Sequence, residues 1–146
     1  QGIANILSKK VVPVYIYEDE KEFLIDTRLN CSYFIGKPFK LDVALNGIVD
    51  GEIINCLNEQ LKIIHTPYHT SGSICIYAED SKILFTGDSL FKYSVGRSDL
   101  PTSNPRKMRE SLNKLLKLPD DVKVYPGHGP FTNIGNEKKL NPFVNR

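Results

Sequence analysis

The chain lacks the features that would place it in a membrane, on nucleic acid or in a disulfide framework. No apolar run approaches the roughly 18 residues of a membrane-spanning helix, and no secretory signal pattern opens the sequence. Nineteen Lys and Arg against seventeen Asp and Glu leave a net charge of +2, too balanced for a nucleic-acid-binding or membrane-binding surface. Cys31, Cys56 and Cys75 are odd in number and form no CxxC pair, so reduced thiols are expected. These absences predict a cytoplasmic protein that acts on a small-molecule substrate.

Length and patterning predict a single layered α/β domain over residues 1–146. A polar loop is expected over 27–40 and another over 92–104, and Asn104 followed by Pro105 is typical of a helix start. The predicted elements are a helix over 2–9, a strand over 11–17, a helix over 18–26, a β-meander over 41–87, a helix over 105–118 and a strand over 121–126. Helices before and after a run of strands predict helices covering a mixed or antiparallel sheet.

Histidine is scarce, and its placement is the most informative feature of the chain. Two of the three histidines, His69 and His128, lie in Gly/Pro-rich turns next to apolar β-like runs, and Asp88 lies in a third such turn. The segments read HTPYHTSGS (65–73), ILFTGDSLF (83–91) and VYPGHGP (124–130). Two imidazoles and a carboxylate are ligands that zinc and similar metal ions take. Loops at strand ends share an edge of the sheet, so we expect these side chains to meet there.

Each of these residues also has an ordinary interpretation. His69 could be a structural or exposed loop histidine, and Asp88 could form an Asx-turn or cap a helix. His128 stands between Gly127 and Gly129, which indicates close approach of the backbone to another group. Their joint occurrence favours a metal site more than any single residue does. His65, which ends the strand before His69, is expected to pack or to support the site rather than to bind metal.

Five segments together carry a resemblance to a known family: TPYHTSGS, LFTGDSLF, VGRSDLP, VYPGHGP and EKKLNPF. They resemble the metallo-β-lactamase fold superfamily, and within it the small glyoxalase II-like hydrolases, over nearly the whole chain. The resemblance implies an αββα sandwich with two zinc or iron ions at the edge of its sheets. It also implies hydrolysis of a thioester or related carbonyl by a metal-bridging hydroxide. His69 and His128 match metal ligands, and Asp88 matches the bridging carboxylate at the catalytic centre.

Three further residues are candidates for the wall of the site. Arg97 and Asp99 lie in a segment that resembles the family's GRxD loop, where they would brace the wall; a purely structural Arg–Asp pair is the alternative. Tyr68 replaces the small residue that is more usual before the metal histidine. Beside the site, it is expected to narrow the substrate cleft.

The chain departs from the family in one respect, because it has no HxHxDH motif. The segment QGIANILSKKVVPVYIY resembles the one that follows this motif in relatives, so we expect the motif upstream of Gln1 and the sandwich here to be incomplete. By the family's ligand assignment, each ion would keep one histidine and the shared Asp88. We therefore expect weak or partial metal occupancy and little activity for this chain alone. An N-terminal fragment, association between copies or a rearranged segment is expected to cover the exposed apolar face.

Three classes of function stay open at this point. A glyoxalase II-like thioester hydrolase is favoured by GRSDLP and NPF. A persulfide dioxygenase-like iron oxygenase is the second, although such relatives usually carry an acidic or aromatic residue where this chain has Gly129. A non-catalytic fragment is the third, favoured by the missing motif. Hydrolysis of β-lactams fits less well, because the loop is of the glyoxalase type.

Overall fold

The computed structural model describes residues 2–144, which group into two compact units. The residues up to Ile48 form one unit, and those from Val49 onwards form the other. The single domain expected from the sequence stays a prediction. No helix among the described residues is long and apolar enough to cross a bilayer.

The first unit consists of short elements. Helix α1 (Gly2–Leu7) is followed by strand β1 (Val14–Tyr17), a 3-10 helix (Glu18–Leu24) and strand β2 (Leu45–Ile48). The 3-10 helix carries three acidic residues in its first turn, where the helix dipole favours negative charge. Strand β2 pairs in parallel with β1, so it does not start the antiparallel meander that was predicted from residue 41. The long connection between the two strands permits this parallel pairing.

The second unit is built on a six-stranded mixed sheet in the order β10-β9-β6-β5-β4-β3. Its strands are β3 (Ile53–Cys56), β4 (Glu59–His65), β5 (Ile74–Ala78), β6 (Ile83–Gly87), β9 (Lys123–Pro126) and β10 (Thr132–Asn133). Strands β3 to β6 form the predicted antiparallel meander, whereas β6 and β9 run parallel. A separate short hairpin, β7 (Leu90–Phe91) with β8 (Ser94–Val95), begins just after β6.

Among the described residues, two α-helices accompany this sheet, and one of them was predicted. Helix α2 (Met108–Leu115) follows a 3-10 turn that starts at Pro105, where Asn104 Oδ1 accepts a hydrogen bond from the Arg106 N–H at 3.2 Å. Its apolar face buries Leu112 and Leu115, each contributing about 2 kcal/mol of hydrophobic stabilisation. The core they join also contains Ile64, Cys75, Tyr77, Leu84, Leu90, Val122, Val124 and Ile134. Helix α3 (Ile134–Leu140), whose Ile134 lies in this core, was not predicted.

The ends of three strands, β4, β6 and β9, lie at one edge of the sheet. Strands β4 and β6 both pair antiparallel with β5, so they point the same way, and β9 runs parallel to β6. Gly87 at the end of β6 pairs with Pro126 at the end of β9, and the Gly127 N–H donates to the Gly87 carbonyl at 2.7 Å. The turns that follow these strands carry the two histidines and the aspartate singled out from the sequence.

Candidate metal centre

The carboxylate of Asp88 lies between the two imidazoles of His69 and His128. Asp88 Oδ1 is 2.8 Å from His128 Nδ1, and Asp88 Oδ2 is 3.5 Å from His69 Nε2. The predicted gathering of these three side chains at one sheet edge is therefore present in the fold. Both carboxylate oxygens face imidazoles, an arrangement that an Asx-turn does not require. Their assignment as metal ligands stays a prediction.

His69 is held in an orientation that leaves one ring nitrogen for the site. Its Nδ1 lies 2.8 Å from the Arg97 carbonyl oxygen, which can only accept, so Nδ1 carries the proton in this contact. Nε2 is then the ring nitrogen left for the site, and it is the one that faces Asp88. Metal-binding histidines commonly donate their other N–H to a carbonyl in this way. The Ser103 hydroxyl fixes the backbone by donating to the His69 carbonyl at 2.6 Å.

His65 lies outside this trio and supports the turn that presents His69. Its Nε2 lies 2.8 Å from the Ser71 carbonyl, across the same turn. Its backbone N–H donates to Asp50 at 2.7 Å and its carbonyl accepts from Lys114 at 2.9 Å. Partial burial opposes ionisation of Asp50, but hydrogen bonds from His65 and Lys114 outweigh it and lower the pKa of that carboxyl. The supporting role expected for His65 agrees with these contacts.

The turn around Asp88 rests on a buried polar cluster. The Ser89 N–H donates to the Thr86 carbonyl at 2.9 Å, and the Ser89 hydroxyl is 2.7 Å from the Thr66 hydroxyl. Cys75 Sγ lies 3.7 Å from that Thr66 hydroxyl, and burial raises the pKa of the thiol to about 12. Cys75 is therefore a neutral packing residue beneath the turn, as the reduced and idle thiols expected from the sequence would be.

Two glycines allow the loops to approach Asp88. A Cβ on Gly96 would overlap the backbone carbonyl oxygen of Asp88 and would lie 3.2 Å from His69 Nδ1. A Cβ on Gly127 would lie 2.5 Å from Asp88 Oδ1 and 3.2 Å from the Gly87 carbonyl group. Glycine is thus required at position 96 for close packing of the backbone, and at position 127 it leaves room for the Asp88 carboxylate. Gly127 stands out in the sequence because it flanks His128, whereas Gly96 was not predicted and its only signal is its place in VGRSDLP.

The expectation that Tyr68 narrows a substrate cleft is wrong, because its side chain is 0% exposed. Its hydroxyl donates to the Ser89 carbonyl, so the ring supports the Asp88 turn from inside. Burial is also the main reason that the pKa of the Tyr68 phenol is raised above its usual range. A tyrosine fits before His69 because the large ring fills the interior rather than the surface.

Arg97 and Asp99 form the pair that was considered for the site wall. Arg97 donates from Nε to Asp99 Oδ1 at 2.5 Å and from a terminal nitrogen to Oδ2 at 2.8 Å. This hydrogen bonding lowers the pKa of Asp99, although both side chains are exposed. The geometry matches the structural-pair interpretation, while the contact of Arg97 with His69 is made by its backbone carbonyl. A role in the wall stays a prediction for both residues.

The donor chemistry of the trio fits a divalent metal ion, but the trio is not a closed ligand set. Within residues 2–144, no three His, Cys, Asp or Glu side chains are arranged to hold one ion together. The His128 side chain is 77% exposed, and its Nδ1 faces Asp88 directly. The His128 ring packs edge-on against Phe91, with centroids 6.2 Å apart. His69 and Asp88 thus present donors side by side, with His128 at the open rim.

Comparison with known proteins shows the family to which this chain belongs. The sequence profile of the metallo-beta-lactamase superfamily matches residues 2–128. The probable metallo-hydrolase YqgX of Bacillus subtilis is 37% identical over 99% of this chain and 69% of its own length. The hydroxyacylglutathione hydrolase GloC of Haemophilus influenzae is 41% identical over 66% of this chain and 46% of its own length. The chain belongs to the metallo-beta-lactamase superfamily.

Solved structures support the same assignment. The B3 metallo-beta-lactamase BLEG-1 matches 99% of this chain and 69% of its own with a TM-score of 0.89 at 33% identity. TTHA1623, solved in a di-iron-bound form, matches 97% of this chain and 70% of its own with a TM-score of 0.83 at 31% identity. The α/β fold with mixed sheets is therefore the metallo-β-lactamase fold. The chain spans about half to two thirds of the length of the relatives it matches.

Proposed function

We propose that this chain supplies His69, Asp88 and His128 to the metal centre of a glyoxalase II-like hydrolase that cleaves thioesters. The observation that carries this proposal is the placement of the Asp88 carboxylate between two imidazoles at three coincident strand ends. The relative named hydroxyacylglutathione hydrolase supports the thioester class of substrate. The di-iron form of TTHA1623 supports a centre of two metal ions and keeps iron beside zinc as the candidate metal.

The contacts of Asp88, His69 and His128 support a separate role for each residue in holding a metal ion. A divalent ion, when bound, supplies Lewis acidity toward the thioester carbonyl and makes a hydroxide nucleophile available near neutral pH. Asp88 can face a cation with each of its two oxygens, which suits a bridging ligand. His69 holds its proton on Nδ1 against the Arg97 carbonyl and keeps Nε2 for coordination. His128, at the rim, would add one imidazole on the other side of Asp88.

The number of ligands limits what this chain does by itself. Two imidazoles and one carboxylate shared by two ions leave each ion with two protein ligands, where a catalytic zinc takes three. We therefore propose weak or partial metal occupancy and no turnover for this chain alone. The HxHxDH motif would supply the remaining ligands in a protein that has it ahead of Gln1.

Hydrolysis of an acylglutathione thioester tests this proposal directly. The chain should show no turnover with zinc or iron, whereas a protein with an HxHxDH segment preceding Gln1 should hydrolyse the thioester. Asp88→Asn should abolish that activity. Turnover that survives Asp88→Asn would contradict the proposal. Iron-dependent oxygen uptake in place of hydrolysis would favour the persulfide dioxygenase-like alternative, and inactivity of both proteins would favour a non-catalytic role.

An exposed aromatic strip bears on the partners of this chain. Phe85, Tyr125 and Phe131 are 47%, 39% and 64% exposed. The Phe85 and Tyr125 rings are 6.0 Å apart, and the Tyr125 and Phe131 rings are 6.1 Å apart. Contiguous apolar surface of this kind usually contacts another element or molecule. We propose that an N-terminal segment or a second copy covers the strip in a cytoplasmic protein.

Light scattering of the purified chain checks this expectation. We predict association between copies that Phe131→Ser reduces, because that substitution removes the most exposed ring of the strip. Tyr33→Ser, which removes an exposed aromatic ring from the first unit, is the control and should leave association unchanged. A monodisperse monomer with no co-purifying peptide would count against the proposal.

A further inference from the structure

Glu137 is a fully buried carboxylate on helix α3 that the proposed metal chemistry does not use. Its Oε1 accepts a hydrogen bond from the Thr132 hydroxyl at 2.7 Å. Its Oε2 accepts from the Tyr93 backbone N–H at 2.9 Å and from Asn141 Nδ2 at 2.8 Å. Burial of a carboxylate is costly unless hydrogen bonds replace its lost hydration. Three hydrogen bonds from its neighbours therefore compensate for the burial of the Glu137 side chain.

Two hydrogen bonds, one to Glu137 and one from Asn141, hold the turn of the β7–β8 hairpin. Glu137 accepts from the Tyr93 N–H, and Asn141 donates from Nδ2 to the Ser94 carbonyl at 3.1 Å. We call this pair of side chains the Glu137–Asn141 clamp. Tyr93 has a φ of +59°, a left-handed backbone that is unfavourable for a tyrosine and persists only where the surroundings hold it. The clamp supplies that restraint.

The hairpin in turn connects to every member of the trio. Asp88 lies two residues before β7, and the Thr86 hydroxyl ties its turn to the hairpin by donating to the Leu90 carbonyl at 2.7 Å. Gly96 and Arg97 follow β8, and the Arg97 carbonyl accepts from His69 Nδ1. Phe91 of β7 packs against the His128 ring. A shift of the hairpin would therefore move the supports of both histidines and of the aspartate together.

We propose that Glu137 is a positioning residue, which through the Glu137–Asn141 clamp fixes the hairpin and so the relative positions of His69, Asp88 and His128. That this positioning serves metal binding rests on the proposed function. The coupling between the clamp and the positions of the trio, however, is a property of the fold. It can therefore be measured without metal and without substrate.

The test uses two NMR measurements, one on the Tyr93 amide and one on the His69 ring, in the chain and its variants. Hydrogen exchange of the Tyr93 amide reports the clamp, and the tautomer of the His69 ring reports the far end of the coupling. In the native chain the contact with the Arg97 carbonyl keeps a proton on His69 Nδ1. Glu137→Ala should speed Tyr93 exchange by about tenfold or more, as expected for a lost charge-assisted hydrogen bond, and should mix the two His69 tautomers.

Two matched variants separate positioning from simple stability. Glu137→Gln can direct its carbonyl oxygen to Tyr93 and Asn141 and its amide to the Thr132 hydroxyl, so it should restore the native exchange rate and tautomer. Thr132→Val removes the hydrogen bond to Oε1 of the same side chain and leaves those to Oε2, the oxygen that contacts the hairpin. It should lower the Tm while leaving Tyr93 exchange and the His69 tautomer unchanged.

A native His69 tautomer in Glu137→Ala would overturn the proposal, as would tautomer mixing of equal size in Thr132→Val. If Glu137→Ala does not fold, Asn141→Ala replaces it, because that substitution removes the hydrogen bond to the Ser94 carbonyl. Unchanged His69 signals in Asn141→Ala would also overturn the proposal. These readouts involve neither metal nor hydrolysis. A failure of the clamp is therefore distinguishable from a failure of the proposed function, which would appear as an inactive protein with an intact clamp.

Discussion

Gly96→Ala lowers the free energy of unfolding by about 3 kcal/mol and abolishes metal binding at the trio; this is the largest structural effect we expect from adding one methyl group. The added Cβ would overlap the backbone carbonyl oxygen of Asp88, which cannot rotate away as a side-chain atom could. It would also crowd His69 Nδ1. Denaturant unfolding and cobalt titration of the variant measure the two effects.

Two other glycines serve as comparisons for this result. Gly2→Ala places a Cβ in open space and should leave both stability and metal binding unchanged. Gly127→Ala brings its Cβ closest to a side-chain atom, Asp88 Oδ1, which can turn aside. It should therefore weaken metal binding with less loss of stability than Gly96→Ala. Native stability in Gly96→Ala would show that the Asp88 and Gly96 loops do not pack as described.

Asp88→Asn is expected to weaken metal binding by about 100-fold or more while leaving the fold intact. Loss of groups that only support metal ligands already costs about 10- to 100-fold, and Asp88 contacts both histidines of the trio itself. Asparagine keeps the size of the side chain but removes its charge and one of its two oxygen acceptors. Calorimetric titration with zinc, together with a circular dichroism spectrum, measures both parts of the prediction.

Asp80→Asn is the matched control, because Asp80 is an exposed aspartate in the turn between β5 and β6. It should bind metal as the native chain does. If Asp88→Asn and the native chain bind zinc with equal affinity, Asp88 is not a metal ligand, and its role is that of an Asx-turn residue.

The fold was predictable from the sequence where local patterns decide structure. The meander from β3 to β6 follows from apolar runs separated by turn residues, and α2 follows from its cap and apolar face. Local patterns did not predict the parallel pairing of β2 with β1, since partner choice depends on distant residues. The β7–β8 hairpin was not predicted, because each of its strands has only two residues. Its turn also places Tyr93 in a left-handed conformation, which a tyrosine in the sequence does not indicate.

The trio was predictable because metal-ligand residue types stand out in Gly/Pro-rich turns after apolar strands. The packing around the trio was not predictable from the sequence. Tyr68 looked like a wall residue from its position beside His69, but only the tertiary packing shows that it points inward to the Ser89 carbonyl. Glu137 carries no sequence signal for burial, because charged helical residues are usually solvated. The incomplete sandwich inferred from the missing HxHxDH motif stays a prediction.

Cobalt or zinc titration of this chain and of its variants His69→Ala, Asp88→Asn and His128→Ala decides whether the trio binds metal. We expect weak binding by the native chain, because the trio is too small a ligand set, and loss of that binding in each of the three variants. Tight, stoichiometric metal accompanied by turnover, or binding that survives all three substitutions, would contradict it.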